Sequence, residues 1–331
     1  MLNGSAKLNK KIFLKNVASR PLRDGYGEGI LEAGEKNENI VVLCADLTES
    51  TRNLAFKEKF KNRFFEIGVA EQNLATVGSG LGITGKIPFI SSYAMFCPGR
   101  ALEQIRTTIC YNDSNVKIMG HHAGISVGPD GATHQAIEDI AIMRTLPNMK
   151  VIVPCDAIEA KKATLAAAQI YGPIYIRLAR EKTPIITTAD TPFIPGKAYT
   201  IWNPKIGKKP VCTIIGAGGV LYNALLAAKE LEKDNIHVSI LNLHTIKPID
   251  KKAIISSVQK SGCVVTVEEH QIMGGIGSAV AEVLSSEYPV KIEMVGINDS
   301  FGESGTPAEL ITKYNLDKNS IKNAVLKVIK R

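Results

Sequence analysis

The sequence predicts an α/β protein with parallel sheets, divided into two units. Three observations carry this. Short unbroken apolar runs (IVVLC, IPFI, VKIM, VIV, PIYI, then VCTIIG, HVSIL, CVVTV, VKIEM) recur along the 331 residues, the mark of strands buried on both faces. Helical patterns fall between most of them, as in crossover connections. Residues 181–210 lose periodicity and gain prolines, and read as a linker with one strand pair that separates a first unit from a second.

The boundaries expected are a basic N-terminal arm over 1–20, a first domain over 21–185, a linker over 186–208 and a second domain over 209–331. Length agrees with about two domains. The composition, 45% hydrophobic and 22% charged, is that of a globular protein. No apolar run approaches the ~20 residues that span a bilayer, and MLNGSAKLNKK lacks a secretory pattern. The six cysteines have no CxxC spacing, which predicts free thiols, no metal site and a cytoplasmic protein. The net charge of +8 draws on an acid-free start, with six Lys/Arg in residues 1–23. Basic residues are not interleaved with aromatics, so neither nucleic acid nor a membrane is an expected partner; a basic surface that steers anionic substrates is.

In chain order, residues 24–40 read as a helix with Tyr26, Ile30, Leu31 and Ala33 on one face. IVVLCAD follows as a strand with Asp46 at its carboxyl end, where open α/β sheets place ligands. FFEIGVAEQNL then delivers Glu71 onto the first turn of a helix. There Ala75, Gly78, Gly80 and Gly82 permit close packing. A carboxylate at a helix N-terminus is ordinary, favoured by ~0.3–1 kcal/mol. Phe64 and Phe65 are expected to bury it. IPFI is the next strand, with Tyr93 and Phe96 just past its end, and GRALEQIRTTI opens a helix. The strand Val116–Met119 runs into a glycine-rich loop with His121, His122, Asp130 and His134, and a helix begins near Gln135. Three of the six histidines thus lie within 14 residues of one loop, a placement that suits chemistry. VIVP, a helix from Asp156, and a strand ending at Arg180 close the first unit; Arg177, alternating with Arg180, reads as solvated. In the second unit, VCTIIGAGG resembles a dinucleotide fingerprint but lacks the full GxGxxG, with Leu221 in the way, so NAD is not expected. HVSILNLHTIKPID reads as strand and loop, CVVTVEEH as a strand, GGIGSAVAEVLSSE as a helix and VKIEMVGI as the last strand.

Taken together, ADLTEST, IGVAEQNL, SSYAMF, GRALEQIR, GPDGATHQ, LPNMKVIVPCD, YIRLAR and VEEH…GGIGSAV resemble the C-terminal half of a transketolase. More narrowly, they resemble the C-terminal subunit of one split into two chains. The resemblance implies a pyrimidine-binding domain of a thiamine diphosphate enzyme followed by a transketolase C-terminal domain. It implies transfer of a two-carbon ketol unit between sugar phosphates. No GDG tripeptide is present, so the diphosphate and its Mg2+ or Ca2+ would be held by a partner, the N-terminal subunit with a GDG…N motif. The expected assembly is a heterotetramer around a homodimer of this chain. By the same resemblance Glu71 matches the catalytic glutamate, and Phe96 the aromatic that stacks on the aminopyrimidine, with Tyr93 beside it. Asp46 matches an aspartate near the cofactor. His122, Asp130 and His134 match positions that contact sugar hydroxyls or phosphate, with His122 and His134 counted as catalytic. Ser50 and Arg180 match phosphate contacts, and His121 has no counterpart. Glu268, Glu269 and His270 are read as structural or interface residues. Alternatives are half of another thiamine enzyme, of the 2-oxo-acid dehydrogenase beta or deoxyxylulose-phosphate synthase kind, and a non-catalytic scaffold or regulatory paralogue.

Overall fold

The computed structural model describes residues 1–331. Seven strands form the first sheet, in the spatial order Thr245–Lys247, Lys150–Ile152, Ile174–Arg177, Lys117–His121, Ile87–Tyr93, Ile40–Cys44 and Phe64–Glu66. All run parallel except Thr245–Lys247. Successive side chains on a strand face opposite sides, and the core obeys this. Val41 and Leu43 pack in one cluster with Leu74, Ile105 and Ile118, while Ile40, Val42 and Cys44 pack in another with Tyr26, Ile30 and Phe89. The helices Leu22–Lys36 and Ala157–Ala167 cover that second face together, close enough that a Cβ on Gly25 would fall 1.8 Å from Ala157 O.

The second sheet has the order Lys291–Ile297, Cys263–Gln271, Cys212–Gly216, Val238–Asn242 and Tyr199–Trp202, parallel but for the last. Ser19–Pro21 and Lys182–Pro184 make a separate antiparallel pair. The six cysteines are free and buried. No helix is long and apolar enough to cross a membrane.

Several expectations need correction. The helix after the histidine loop begins at Asp139, not near Gln135, because Gln135 is buried and spends its side chain on Ile125 O and Glu303 O. The strand expected to reach Arg180 ends at Arg177. Residues 245–247 are an edge strand of the first sheet rather than a loop. The stretch 181–210 does hold two strands, but they pair elsewhere rather than with each other: Lys182–Pro184 with Ser19–Pro21, and Tyr199–Trp202 with Val238–Asn242 in the second sheet. The N-terminal residues 1–20 pack on the second unit: Ile12 is fully buried, and Ala6 and Leu8 join the cluster around Trp202. Four helices, Leu54–Lys59, Lys251–Ser261, Pro307–Lys313 and Lys318–Lys330, add to those read from the sequence.

Candidate functional site

The strands Ile40–Cys44, Ile87–Tyr93 and Lys117–His121 are adjacent and parallel, so their carboxyl ends deliver residues to one edge. After Phe64–Glu66 the chain turns at Gly68, whose φ is +80°, and Glu71 becomes the first residue of the helix Glu71–Ile83. The small residues of that helix divide in use. A Cβ on Gly78 would fall 2.7 Å from Ile90 and one on Gly82 2.4 Å from Ser114, whereas Gly80 faces open space.

Glu71 is 1% exposed. Its surroundings differ from the expectation, since Phe65 points to solvent and Phe64 belongs to the opposite core face. What holds it is polar: Ser92 Oγ donates to Oε1 at 3.2 Å, and Arg100 Nη1 pairs with Oε2 at 2.6 Å. The Arg100 guanidinium also lies 4.9 Å from the centre of the Phe96 ring. From Phe96 the contacts continue without a break. His134 meets Phe96 edge-on at 5.3 Å, and Tyr93 lies 6.2 Å from both. Tyr93 also stacks on His122 at 4.0 Å. Arg23 Nη1 contacts His122 Nε2 at 3.1 Å and donates to Ser50 O at 3.0 Å.

Burial first, then the positive charge of Arg23 and Arg180, pushes His122 down to about 3. It is therefore a neutral imidazole that accepts from Arg23 through Nε2 and carries its proton on Nδ1, which has no partner in the chain. Its φ of +52° is in the left-handed region, a conformation costly enough in a non-glycine residue to mark a constrained site. His121 is fully buried against Tyr26, and burial lowers its pKa as well.

Arg180 is partly buried, donates from Nη1 to Val127 O at 2.7 Å, and lies 3.9 Å from Asp130. Arg177 is not solvated. It is 5% exposed and its Nε pairs with Asp139 at 2.8 Å, in reach of Tyr175, whose hydroxyl donates to Asp139 Oδ2 at 2.6 Å. Its sequence position is explained by the strand: Arg177 and Tyr175 are two residues apart and share a face.

The structure thus brings Glu71, Tyr93, Phe96, His122 and His134 into one continuous set. Ser50 joins it through its carbonyl and Arg23, while Asp130 and Arg180 sit together beside it. Asp46 stands apart: it is exposed just past its strand, and its backbone N–H is held by Glu66 Oε1 at 2.7 Å. Arg23, Arg100 and Ser92 are site residues that sequence reasoning missed. Only their places gave a signal, Ser92 at a strand end and Arg100 just past the aromatics. Glu268 and His270 are fully buried and Glu269 nearly so; Glu268 accepts from Ile276 and Gly277 N–H at the start of a helix, and His270 Nε2 from Ala141 N–H.

Residues 19–185 match the family model "Transketolase, pyrimidine binding domain", and residues 205–321 match "Transketolase, C-terminal domain". A chain of Methanocaldococcus jannaschii named as a transketolase C-terminal section is 45% identical over 313 residues, covering 94% of this chain and 96% of that one. A 6-deoxy-6-sulfo-D-fructose transketolase subunit of Clostridium sp. is 37% identical, covering 94% and 95%. A solved structure described as "Split gene transketolase, inactive beta4 tetramer" has a TM-score of 0.85 and 44% identity, and covers 95% of this chain and 99% of its own. The fold and the site edge are those of a pyrimidine-binding α/β unit with a second α/β domain attached. The chain belongs to the transketolase family.

Proposed function

We propose that this chain is the C-terminal subunit of a two-chain, cytoplasmic transketolase, active with a separate subunit that holds the diphosphate of thiamine diphosphate and its Mg2+ or Ca2+. The observation that carries this is the buried Glu71 carboxylate at the head of a helix, linked through Arg100 to a half-buried aromatic and histidine cluster. The relatives support the subunit reading, because those covered over 95–99% of their own length are themselves chains of this size. Within the 331 residues no GDG tripeptide supplies a diphosphate site.

The residues present fit the aminopyrimidine half of the cofactor. Glu71 offers a water-shielded carboxyl to a ring nitrogen, and the half-buried face of Phe96 offers a stacking surface worth ~0.5–1.5 kcal/mol beyond area burial. Bound thiamine diphosphate supplies the carbon nucleophile that carries the two-carbon unit. Around it, Glu71 holds a proton at the ring nitrogen and so tunes its tautomer. Tyr93 packs beside Phe96. His122, whose buried Nδ1–H has no partner in the chain, and half-buried His134 are assigned the sugar hydroxyl contacts. Arg180 keeps Nη2 and Nε free for an anionic group, a geometry suited to phosphate. Asp130 and Ser50 border that end. Asp46 is assigned a cofactor contact by resemblance alone.

The test is activity with and without the partner. Xylulose 5-phosphate with ribose 5-phosphate as acceptor should turn over only when a GDG-bearing N-terminal subunit is added. A 6-deoxy-6-sulfo ketose serves as the second donor, because one relative carries that name. Full turnover by the single purified chain refutes the two-chain reading, and no turnover with any donor in the complex refutes the transferase.

A further inference from the structure

Two segments of the C-terminal unit close on the turn that follows the strand Lys117–His121. Glu269 lies in the strand Cys263–Gln271, and its Oε1 accepts a hydrogen bond of 2.6 Å from the backbone N–H of Ser126. The fit is close: Gly124 has φ +91°, and a Cβ there would fall 2.4 Å from that same oxygen. The backbone carbonyl of Glu269 accepts from Arg177 Nη2 at 2.9 Å, and this nitrogen also donates to Ala136 O at 3.1 Å. Both ends of the turn are therefore tied to one residue of the second domain. A second tether is Gln135, whose Nε2 donates to Ile125 O and to Glu303 O, both at 3.0 Å.

None of these groups bonds to Glu71 or to the aromatic cluster. What the turn gives the site is Val127 O, one residue past Ser126, which accepts from Arg180 Nη1 at 2.7 Å, and Asp130, 3.9 Å from the same nitrogen. We propose that Glu269 is a positioning residue through which the C-terminal domain sets the anion-binding end of the site: by fixing Ser126 N–H it fixes Val127 O, and so the direction in which Arg180 presents its guanidinium. This rests on the reading of Arg180 given above. A buried N–H left without an acceptor carries its full desolvation cost, so the turn cannot keep this shape unchanged once Glu269 is truncated. Burial raises the Glu269 pKa. Glutamine, which matches the carboxyl in shape and keeps Oε1 as an acceptor, should preserve the contact.

Two readouts test the proposal. In the full chain, amide hydrogen exchange over residues 124–131 should accelerate by roughly tenfold or more in Glu269→Ala and stay near wild type in Glu269→Gln. In the complex with the partner subunit, Glu269→Ala should raise KM for a phosphorylated ketose by about tenfold with kcat within about twofold, and leave the KM for hydroxypyruvate unchanged. Gln135→Met, which cuts the second tether without touching Glu269, should accelerate exchange over the same residues and carries the test if Glu269→Ala does not fold. Unchanged exchange in the folded variants, or an equal loss of kcat for both donors, overturns the proposal. A complex inactive with every donor would refute the transferase reading, and the exchange data would still decide the clamp.

Discussion

Replacing Glu71 with glutamine separates chemistry from stability at the centre of the site. The carboxylate receives a hydrogen bond from Ser92 and an ion pair from Arg100. In Glu71→Gln the amide oxygen still accepts from Arg100, and the amide nitrogen donates to Ser92 Oγ, which can accept as well as donate. The bond count survives. What is lost is the charged component of the Arg100 bond, about 1 kcal/mol from the difference between charge-assisted and neutral hydrogen bonds, and a helix-dipole contribution of ~0.3–1 kcal/mol. Arg100 is 48% exposed on its side chain, so its charge returns to water rather than being stranded. The sum, roughly 1–2 kcal/mol, lowers Tm by a few degrees in a chain of this length. Removing a group that must hold and release a proton costs on the order of 10²–10⁴-fold in rate. The two effects are far apart, and calorimetry beside a two-carbon transfer assay on the complex reads both. More than about half of wild-type activity would show that Glu71 is structural. A Tm loss many times larger than this sum would show that the rate effect cannot be read as chemistry.

Two further outcomes are expected. Arg180→Ala should lower catalytic efficiency for a phosphorylated donor by roughly ten- to a hundredfold, the value of one charge-assisted hydrogen bond, while hydroxypyruvate is affected much less; an unchanged ratio of the two efficiencies places Arg180 outside the phosphate contact. His270 is held at about 4 by burial against an ordinary 6.5, so as pH falls below 6.5 the unfolded chain takes up that proton first and the folded state loses stability until about pH 4. Urea unfolding should therefore show the stability difference moving in favour of His270→Gln by roughly 2 kcal/mol between about pH 7.5 and about pH 4.5; parallel pH profiles of the two proteins refute it.

The parallel strands of both sheets were legible because a strand buried on both faces must be largely apolar, as runs such as IVVLC and CVVTV are. Glu71 and the aromatic pair stood out through motif resemblance, and their grouping follows from adjacent parallel strands. The short antiparallel strand Thr245–Lys247 was not legible: three residues carry no period, and their partner, Lys150–Ile152, is far away in sequence. The helix Lys251–Ser261 had a readable start, since Asp250 caps it through Ala253 N–H, but little apolar surface, with only Ile254 and Val258 buried. Arg177 was misread because its partner Asp139 lies on another element; a charge inside an apolar strand demands a buried partner, and that demand was the signal available.

These same misreadings share a physical cause, which is that the two domains do not meet as finished objects. Leu43 and Ile118 of the first unit lie in one apolar cluster with Leu243, Ile254 and Val280 of the second. Thr245–Lys247 leaves the second unit to complete the edge of the first sheet, while Ile12 from the N-terminus packs in the second unit with Trp202 and Leu221. Buried Arg177 is satisfied by partners from both units, Asp139 and the Ala136 carbonyl in the first and the Glu269 carbonyl in the second. Each element that a domain-by-domain reading leaves solvated is one that crosses between units. Its environment is set by residues far away along the chain, so local patterns cannot report it. A C-terminal domain joined through a shared core and through buried hydrogen bonds from Arg177 and Ser126 to Glu269 is part of the scaffold of the site, and substitutions at residues such as Glu269 should be read as changes to that scaffold.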